Sequence, residues 1–211
     1  MKINILGDSI TEGACASCVE KTFVYLVGQM LNAETRNYGI GGTRIARQLK
    51  SSAERGYDYD YCQRVEKMNN DADYVIVFGG TNDYGHGDAP MGKMGDNTPY
   101  TFYGAMDYLI NELFKYYKKE QIVFILPTYR FYEDDPELNG CSNKEECGWH
   151  PLSEYRRVMV EVLNKYNIDI FDIKDELGRP ENNDMYFDGL HPTDKGHYKI
   201  AELIANYFKN K

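Results

Sequence analysis

Four short motifs along the chain carry side chains that together meet the needs of nucleophilic catalysis. They supply a serine hydroxyl, a glycine-rich turn, a side-chain amide, and a histidine three residues after an aspartate. The motifs are Gly7-Asp8-Ser9-Ile10, Asn37-Tyr38-Gly39-Ile40-Gly41-Gly42-Thr43, Gly79-Gly80-Thr81-Asn82-Asp83 and Asp188-Gly189-Leu190-His191-Pro192. Acyl transfer through a covalent intermediate requires a nucleophile, a base, a group that orients the base, and donors for the oxyanion. The four motifs contain each of these groups.

The first motif favours a different interpretation when it is taken alone. Gly7 lets the backbone turn sharply before Ser9 and leaves the hydroxyl exposed. Serine is also one of the preferred residues at the start of a helix, where it caps a backbone N–H. On its own this turn therefore favours a helix cap over a nucleophile.

The two glycine-containing motifs also have simple alternatives. The run that begins at Gly39 does not match a dinucleotide-binding loop, because Arg44 stands where that pattern needs glycine. A plain turn explains it equally well. Asn82 can offer amide hydrogens to a ligand, but an Asx turn is a common use of asparagine at such a position.

The last motif places a carboxylate near an imidazole. A carboxylate bonded to one ring nitrogen fixes the tautomer and leaves the other nitrogen as a base. The alternative is a surface loop with an incidental histidine. Because the chain has only four histidines, the pairing of Asp188 with His191 favours the base.

In this order the four motifs resemble the blocks of the SGNH (GDSL-type) hydrolase family, and they span nearly the whole chain. The resemblance implies a flavodoxin-like three-layer α/β/α fold, with Ser9 as nucleophile and Asp188 and His191 completing a triad. It also implies an oxyanion hole made by the backbone N–H groups of Ser9 and Gly42 and the side-chain amide of Asn82. Gly42 is chosen because the donor glycine of the family is the last one of its block.

The elements around these motifs predict the same architecture. Short apolar strands alternate with amphipathic helices, as expected for a parallel sheet with helices on both faces. The predicted strands are Ile3–Leu6, Glu34–Tyr38, Tyr74–Phe78, Ile122–Leu126 and Ile168–Phe171. The predicted helices are Phe23–Leu31, Phe102–Tyr117, Tyr155–Tyr166 and about Asp194–Phe208, the last with Thr193 as its N-cap. We expect one α/β domain over residues 1–211 with a central, mostly five-stranded parallel sheet.

Two long loops are predicted to form the walls of a substrate pocket, because such loops in a compact domain are often functional. They are Tyr84–Pro99 and Tyr129–His150. Asp8, Tyr84 and Tyr129 are the candidate substrate contacts. Aromatic faces with polar tips suit sugars, which favours a small-acyl ester, with an O-acetyl group on a carbohydrate as the preferred case. The alternatives are a lysophospholipase or thioesterase, or a catalytically silent ligand-binding module.

Composition excludes several classes of partner. The net charge of −9 argues against nucleic acid and anionic membranes, which favour clustered basic residues. The sequence has no apolar run of membrane-spanning length and no signal peptide, so a cytoplasmic protein is expected. The proposed chemistry needs no metal and no organic cofactor.

The five cysteines allow more than one interpretation. Cys15 and Cys18 have the spacing of a redox or zinc motif, but a single such pair is a weak signal. Cys141 and Cys147 could form a loop disulfide in an oxidising compartment. Ordinary reduced thiols are favoured for all five.

Overall fold

The fold is built around one parallel sheet, in a computed structural model that describes residues 1–133 and 148–211. The strands are β1 (Lys2–Gly7), β2 (Glu34–Gly39), β3 (Tyr74–Phe78), β4 (Ile122–Ile125) and β5 (Asp169–Phe171). They lie in the order β2-β1-β3-β4-β5, and each neighbouring pair is parallel. The predicted α/β class and five-stranded parallel sheet are confirmed.

The helices follow the apolar patterns of the sequence closely. Their bounds are α1 (Ser9–Glu12), α2 (Phe23–Leu31), α3 (Tyr61–Arg64), α4 (Thr81–His86), α5 (Phe102–Phe114), α6 (Leu152–Tyr166), α7 (Lys174–Leu177) and α8 (Asp194–Lys209). Short 3-10 turns occupy Val19–Lys21, Arg55–Asp58, Val65–Lys67 and Lys119–Gln121. The Thr193 side chain caps α8 by accepting from the Gly196 N–H, as predicted. α5 ends three residues before the predicted Tyr117, and α6 begins three residues before the predicted Tyr155.

Both faces of the sheet are buried, because alternate strand residues point into two separate cores. Val75 and Val77 belong to one core with α5 and α6, whereas Ile76 and Phe78 belong to the other with α2 and α8. All four side chains are at most 2% exposed. Burial on both faces explains why β3 is apolar throughout instead of alternating.

The sheet order creates a switch point beside β1. The chain passes from β1 to β2 on one side of it and then to β3 on the other. Ligands of open α/β sheets bind outside the carboxyl ends of the strands at such a point. The loops that follow β1, β2 and β3 contain the first three motifs, so the topology brings those motifs to one edge of the sheet.

Parts of the loop prediction need correction. The interval predicted as a loop from Tyr84 begins inside α4, which continues to His86.

Cys141 and Cys147 lie outside the described residues, so their state stays a prediction. Within residues 1–133 and 148–211, no helix has both the length and the apolar character needed to cross a membrane. The compartment stays a prediction.

Candidate active site

The turn after β1 presents the Ser9 side chain at the carboxyl edge of the sheet. Gly7 allows this turn, since a Cβ there would lie 1.9 Å from the Thr11 hydroxyl oxygen. Asp8 caps α1 by accepting from the Ile10 N–H at 3.0 Å. Ser9 is the first residue of α1 and is only partly buried. Asp8, and not Ser9, therefore takes the capping role that the sequence alone had suggested for the serine.

The last motif brings its histidine to this serine across 182 residues of chain. Ser9 Oγ lies 2.9 Å from His191 Nε2. His191 Nδ1 lies 2.7 Å from Asp188 Oδ2, and the other carboxylate oxygen accepts the His191 backbone N–H at 2.8 Å. The Asp188 carboxylate thus holds both the backbone and the ring of His191.

The ionisation of Asp188 fits an orienting role. Partial burial raises the pKa of this carboxyl group, but hydrogen bonds from the backbone and ring of His191 more than offset burial. Its pKa therefore lies below the usual range, and the group is a carboxylate near neutral pH. Such a carboxylate fixes the proton on Nδ1 and leaves Nε2 as the acceptor that faces Ser9.

Three potential oxyanion donors border the same cleft. Ser9, Gly42 and Asn82 all line it. Within the described residues, the backbone N–H groups of Ser9 and Gly42 make no hydrogen bond to another protein group. Asn82 Nδ2 donates to the Thr43 carbonyl at 3.0 Å, which leaves its second amide hydrogen for another acceptor.

Further contacts tie the glycine turn to α4. Both oxygens of the Asp83 carboxylate accept backbone N–H groups, from Ile45 at 2.9 Å and from Ala46 at 2.8 Å. Burial raises the pKa of Asp83 to about 6, although these two bonds lower it. The bond from Asn82 to Thr43, next to Gly42, and the bonds of Asp83 to the following backbone therefore fix the positions of Gly42 and Asn82 relative to each other.

Most of the chain matches a known protein family. The model of the GDSL-like Lipase/Acylhydrolase family matches residues 5–199. The chain belongs to this family. It is an enzyme that hydrolyses ester bonds.

Solved structures resemble the hydrolase over nearly its whole length. A protein from Lactobacillus plantarum is 25% identical, with 99% of this chain and 96% of that chain covered and a TM-score of 0.80. The lipase/acylhydrolase from Enterococcus faecalis is 23% identical, with 99% and 95% covered and a TM-score of 0.66, which supports the fold. No curated protein is similar enough to the hydrolase to count as a match.

The cleft beside Ser9 in the hydrolase has a volume of about 720 Å³, and its walls carry both polar and apolar groups. The lining residues beyond the triad and the oxyanion donors are Glu12, Ile40, Gly41, Glu54, Gly56, Tyr57, Gly85, His86, Arg130 and Leu190. Glu12 accepts the Gly41 N–H at 2.9 Å, and Arg130 donates to the carbonyl and hydroxyl oxygens of Thr81. The cleft therefore offers charged, aromatic and hydrogen-bonding groups around the nucleophile.

The three predicted substrate contacts do not lie on this cleft. Asp8 is 1% exposed, and its carboxylate faces the inside of the turn. Tyr84 is fully buried in the core, where its hydroxyl donates to the Tyr132 carbonyl at 2.8 Å. Tyr129 borders a separate, smaller pocket and donates to Asp175 at 2.9 Å. Local hydrogen bonds hold each of these side chains away from the cleft, so the structure does not place them beside the Ser9 hydroxyl.

Tyr57, Glu12 and Arg130 are among the cleft residues of the hydrolase that the sequence motifs do not mark. Tyr57 lies in a segment without apolar periodicity, and its ring covers Gly42 so closely that a Cβ there would be 2.2 Å away. Glu12 resembles an ordinary residue of a short helix. Arg130 lies within a loop predicted to form the pocket, but only tyrosines were singled out there.

Cys15 and His197 also lie near the nucleophile turn. Partial burial and the Asp188 carboxylate raise the pKa of the Cys15 thiol, which opposes a reactive redox thiol. The second histidine near the nucleophile turn, His197, is fully buried and lies 3.1 Å from the Ala14 carbonyl. It accepts the Phe23 N–H through Nδ1, so it supports the structure of the turn.

Proposed function

We propose that the hydrolase is a serine esterase in which Ser9 attacks the ester carbonyl, with His191 as its base. The observation that carries this proposal is the continuous hydrogen-bonded chain from Ser9 Oγ through His191 to Asp188, with distances of 2.9 and 2.7 Å. A base within this distance can take the hydroxyl proton as the bond to carbon forms. The family assignment supports the same reaction class.

The reaction then proceeds through an acyl-enzyme. His191 Nε2 accepts the proton of Ser9 as Oγ bonds to the carbonyl carbon, and Asp188 stabilises the imidazolium. The backbone N–H groups of Ser9 and Gly42, with the amide of Asn82, donate to the oxyanion. His191 gives its proton to the departing alcohol. Water then attacks the acyl-enzyme: His191 accepts a proton from the water and returns it to Ser9 Oγ as the acid leaves.

The substrate we propose is a small-acyl ester, preferably an acetyl group on a carbohydrate. Glu12, Arg130 and His86 place hydrogen-bonding groups around the cleft, and Tyr57 adds an aromatic face that is 38% exposed. Polar groups and aromatic faces together suit a polyhydroxylated ligand. Of the described side chains that line the cleft, only Ile40 and Leu190 are aliphatic, which favours a short acyl group over a long chain.

Two sets of substrates test this proposal. We expect the highest kcat/KM for p-nitrophenyl acetate among esters of increasing acyl length, and acetate release from acetylated sugars. Ser9→Ala should abolish both activities, whereas Ser17→Ala, whose hydroxyl donates to Asp194, should retain them. A preference for long acyl chains would instead favour a lysophospholipase, and acyl-CoA cleavage would favour a thioesterase.

A covalent probe separates an enzyme from a silent binding module. A fluorophosphonate should label Ser9 in the wild-type protein and fail to label the Ser9→Ala variant. Turnover that survives in Ser9→Ala would contradict the assignment of the nucleophile.

A further inference from the structure

Cys15 lies beside the proposed triad, although the sequence paired it with Cys18. Three potential metal-ligand atoms, one from each of Cys15, Asp188 and His191, lie within 4.8 Å of one another. The part of the chain that the structure describes holds no other such group of three, and Cys18 does not belong to this one. The thiol of Cys15 therefore lies close to the Asp188–His191 pair of the proposed triad.

The backbone on both sides holds Cys15 in this place. The Ala14 carbonyl is bonded to the buried His197, and the Ser17 N–H and hydroxyl both donate to Asp194 at 2.8 and 2.7 Å. Cys15 itself has a φ of +64°, in the left-handed region that few non-glycine residues adopt. The position of the thiol near the triad is thus set by the surrounding structure.

We propose that Cys15, Asp188 and His191 form an inhibitory zinc site in the hydrolase. A thiolate, an imidazole and a carboxylate are the three ligand types that Zn²⁺ binds in proteins. Zinc–ligand distances of about 2.0–2.3 Å put neighbouring ligand atoms roughly 3.3–3.7 Å apart in a tetrahedral site. The observed separations of at most 4.8 Å exceed this spacing by no more than about 1.5 Å.

Metal binding at this place would stop catalysis, because it would occupy the base His191. This proposal therefore rests on the proposed function. His191 uses both ring nitrogens in the triad: Nε2 faces Ser9, and Nδ1 faces Asp188. Whichever nitrogen binds zinc, the ring loses either the acceptor for the serine proton or its contact with the orienting carboxylate. Inhibition requires loss of the thiol proton and is reversed when a chelator removes the metal.

The first experiment titrates ZnCl2 into p-nitrophenyl acetate assays, with a phosphine reductant and no chelator. Cys15→Ser keeps the size of the side chain but removes the thiolate, and Cys18→Ser is its matched control. We expect wild type and Cys18→Ser to be inhibited alike, with EDTA restoring activity. Cys15→Ser should need at least about tenfold more zinc, since loss of even an outer-shell partner costs that much affinity. The inhibition of each protein is expressed relative to its own activity without metal.

The second experiment detects the site without turnover, so it is valid even if the proposed esterase activity fails. Co²⁺ replaces zinc and gives a near-ultraviolet thiolate-to-cobalt absorption band. The band should be weaker in Cys15→Ser and in His191→Ala than in wild type, and unchanged in Cys18→Ser. Equal zinc sensitivity or equal cobalt absorption in wild type and Cys15→Ser would overturn the proposal. Loss of either signal in Cys18→Ser would assign the metal to the Cys15–Cys18 pair instead.

Discussion

Arg64 donates a hydrogen bond to the carbonyl of Gly7 at 2.9 Å, directly beneath the turn that carries the proposed nucleophile. The same guanidinium donates to the Tyr38 carbonyl at 2.7 Å and to the Thr43 hydroxyl at 2.9 Å. Arg64 is only 5% exposed. One buried side chain therefore connects the turn after β1 with both ends of the glycine motif.

Replacement of this arginine tests how far the site depends on that connection. Arg64→Lys keeps the charge, but a single ammonium cannot span three acceptors as the planar guanidinium does. We expect the free energy of unfolding in urea to fall by about 2 kcal/mol, with a lower kcat. Arg157→Lys, on the exposed face of α6, is the control and should change the unfolding free energy by less than about 0.5 kcal/mol. Equal stabilities of the two variants would contradict this role.

Gly42 provides a second test, because two features require glycine there. Its φ is +73°, and a Cβ would lie 2.2 Å from the Tyr57 ring. Gly95 has a φ of +96° but open space around its Cβ position. Gly95→Ala should cost only the conformational penalty of about 1–2 kcal/mol. Gly42→Ala should cost more stability and also lower kcat, since the displaced ring or backbone moves the proposed oxyanion donor. A stability loss no larger than that of Gly95→Ala, with unchanged kcat, would rule out the steric argument.

Asn82 is expected to act on the transition state more than on substrate binding. Removing one oxyanion donor typically lowers kcat by roughly 10²–10³, so Asn82→Ala should show this loss with KM little changed. Asn111→Ala removes an exposed amide that donates to Asp107 in the same helix, and it should leave kcat unaltered. Thermal unfolding of both variants shows whether the loss is catalytic. A kcat within about twofold of wild type in Asn82→Ala would exclude the amide as an oxyanion donor.

The strands of the sheet were predictable because burial on both faces leaves a local pattern in the sequence. The run over β3 is apolar since both faces of the strand are buried, and its predicted bounds, Tyr74–Phe78, match the structure. The bounds of α2, Phe23–Leu31, match too, since Thr22 caps its start and Asn32 ends it with a left-handed conformation. Predicted bounds differ more where capping residues are less distinctive, as at the start of α6, where Pro151 makes no side-chain cap.

The proposed catalytic residues were suggested by the four motifs taken together and by their resemblance to the SGNH family, whereas no motif marks the walls of the cleft. Tyr84 resembled a pocket residue in a polar loop, but α4 turns it into the core, where its hydroxyl donates a hydrogen bond to the Tyr132 carbonyl. Tyr57 covers Gly42 from a separate segment, which the buried Arg44 ties in place by donating to the Tyr57 carbonyl and to Asp58. Such contacts join residues from separate loops, and no spacing in the sequence records them.

Asp8 leads to a prediction about stability and pH. Burial raises the pKa of its carboxyl group to about 6, although the Ile10 N–H and the charges of His191 and Arg64 lower it. The ordinary value is 3.8. Between these two values the folded protein holds a proton that the unfolded chain has lost, so the free energy of unfolding falls as the pH rises. A shift of this size corresponds to about 3 kcal/mol across that range.

Asp8→Asn removes this titration while its side-chain oxygen can still cap α1. We therefore expect the difference in unfolding free energy, wild type minus Asp8→Asn, to decrease from pH 4 to pH 6 and then stay constant. Asp71 serves as a comparison with a pKa shift in the opposite direction, because hydrogen bonds from Arg36 and Lys2 hold the pKa of this exposed carboxyl group below its usual range. The corresponding difference for Asp71→Asn should decrease as the pH falls below about 4. Urea unfolding at each pH measures both, and a difference for Asp8 that does not change between pH 4 and 6 would show that its pKa is not raised.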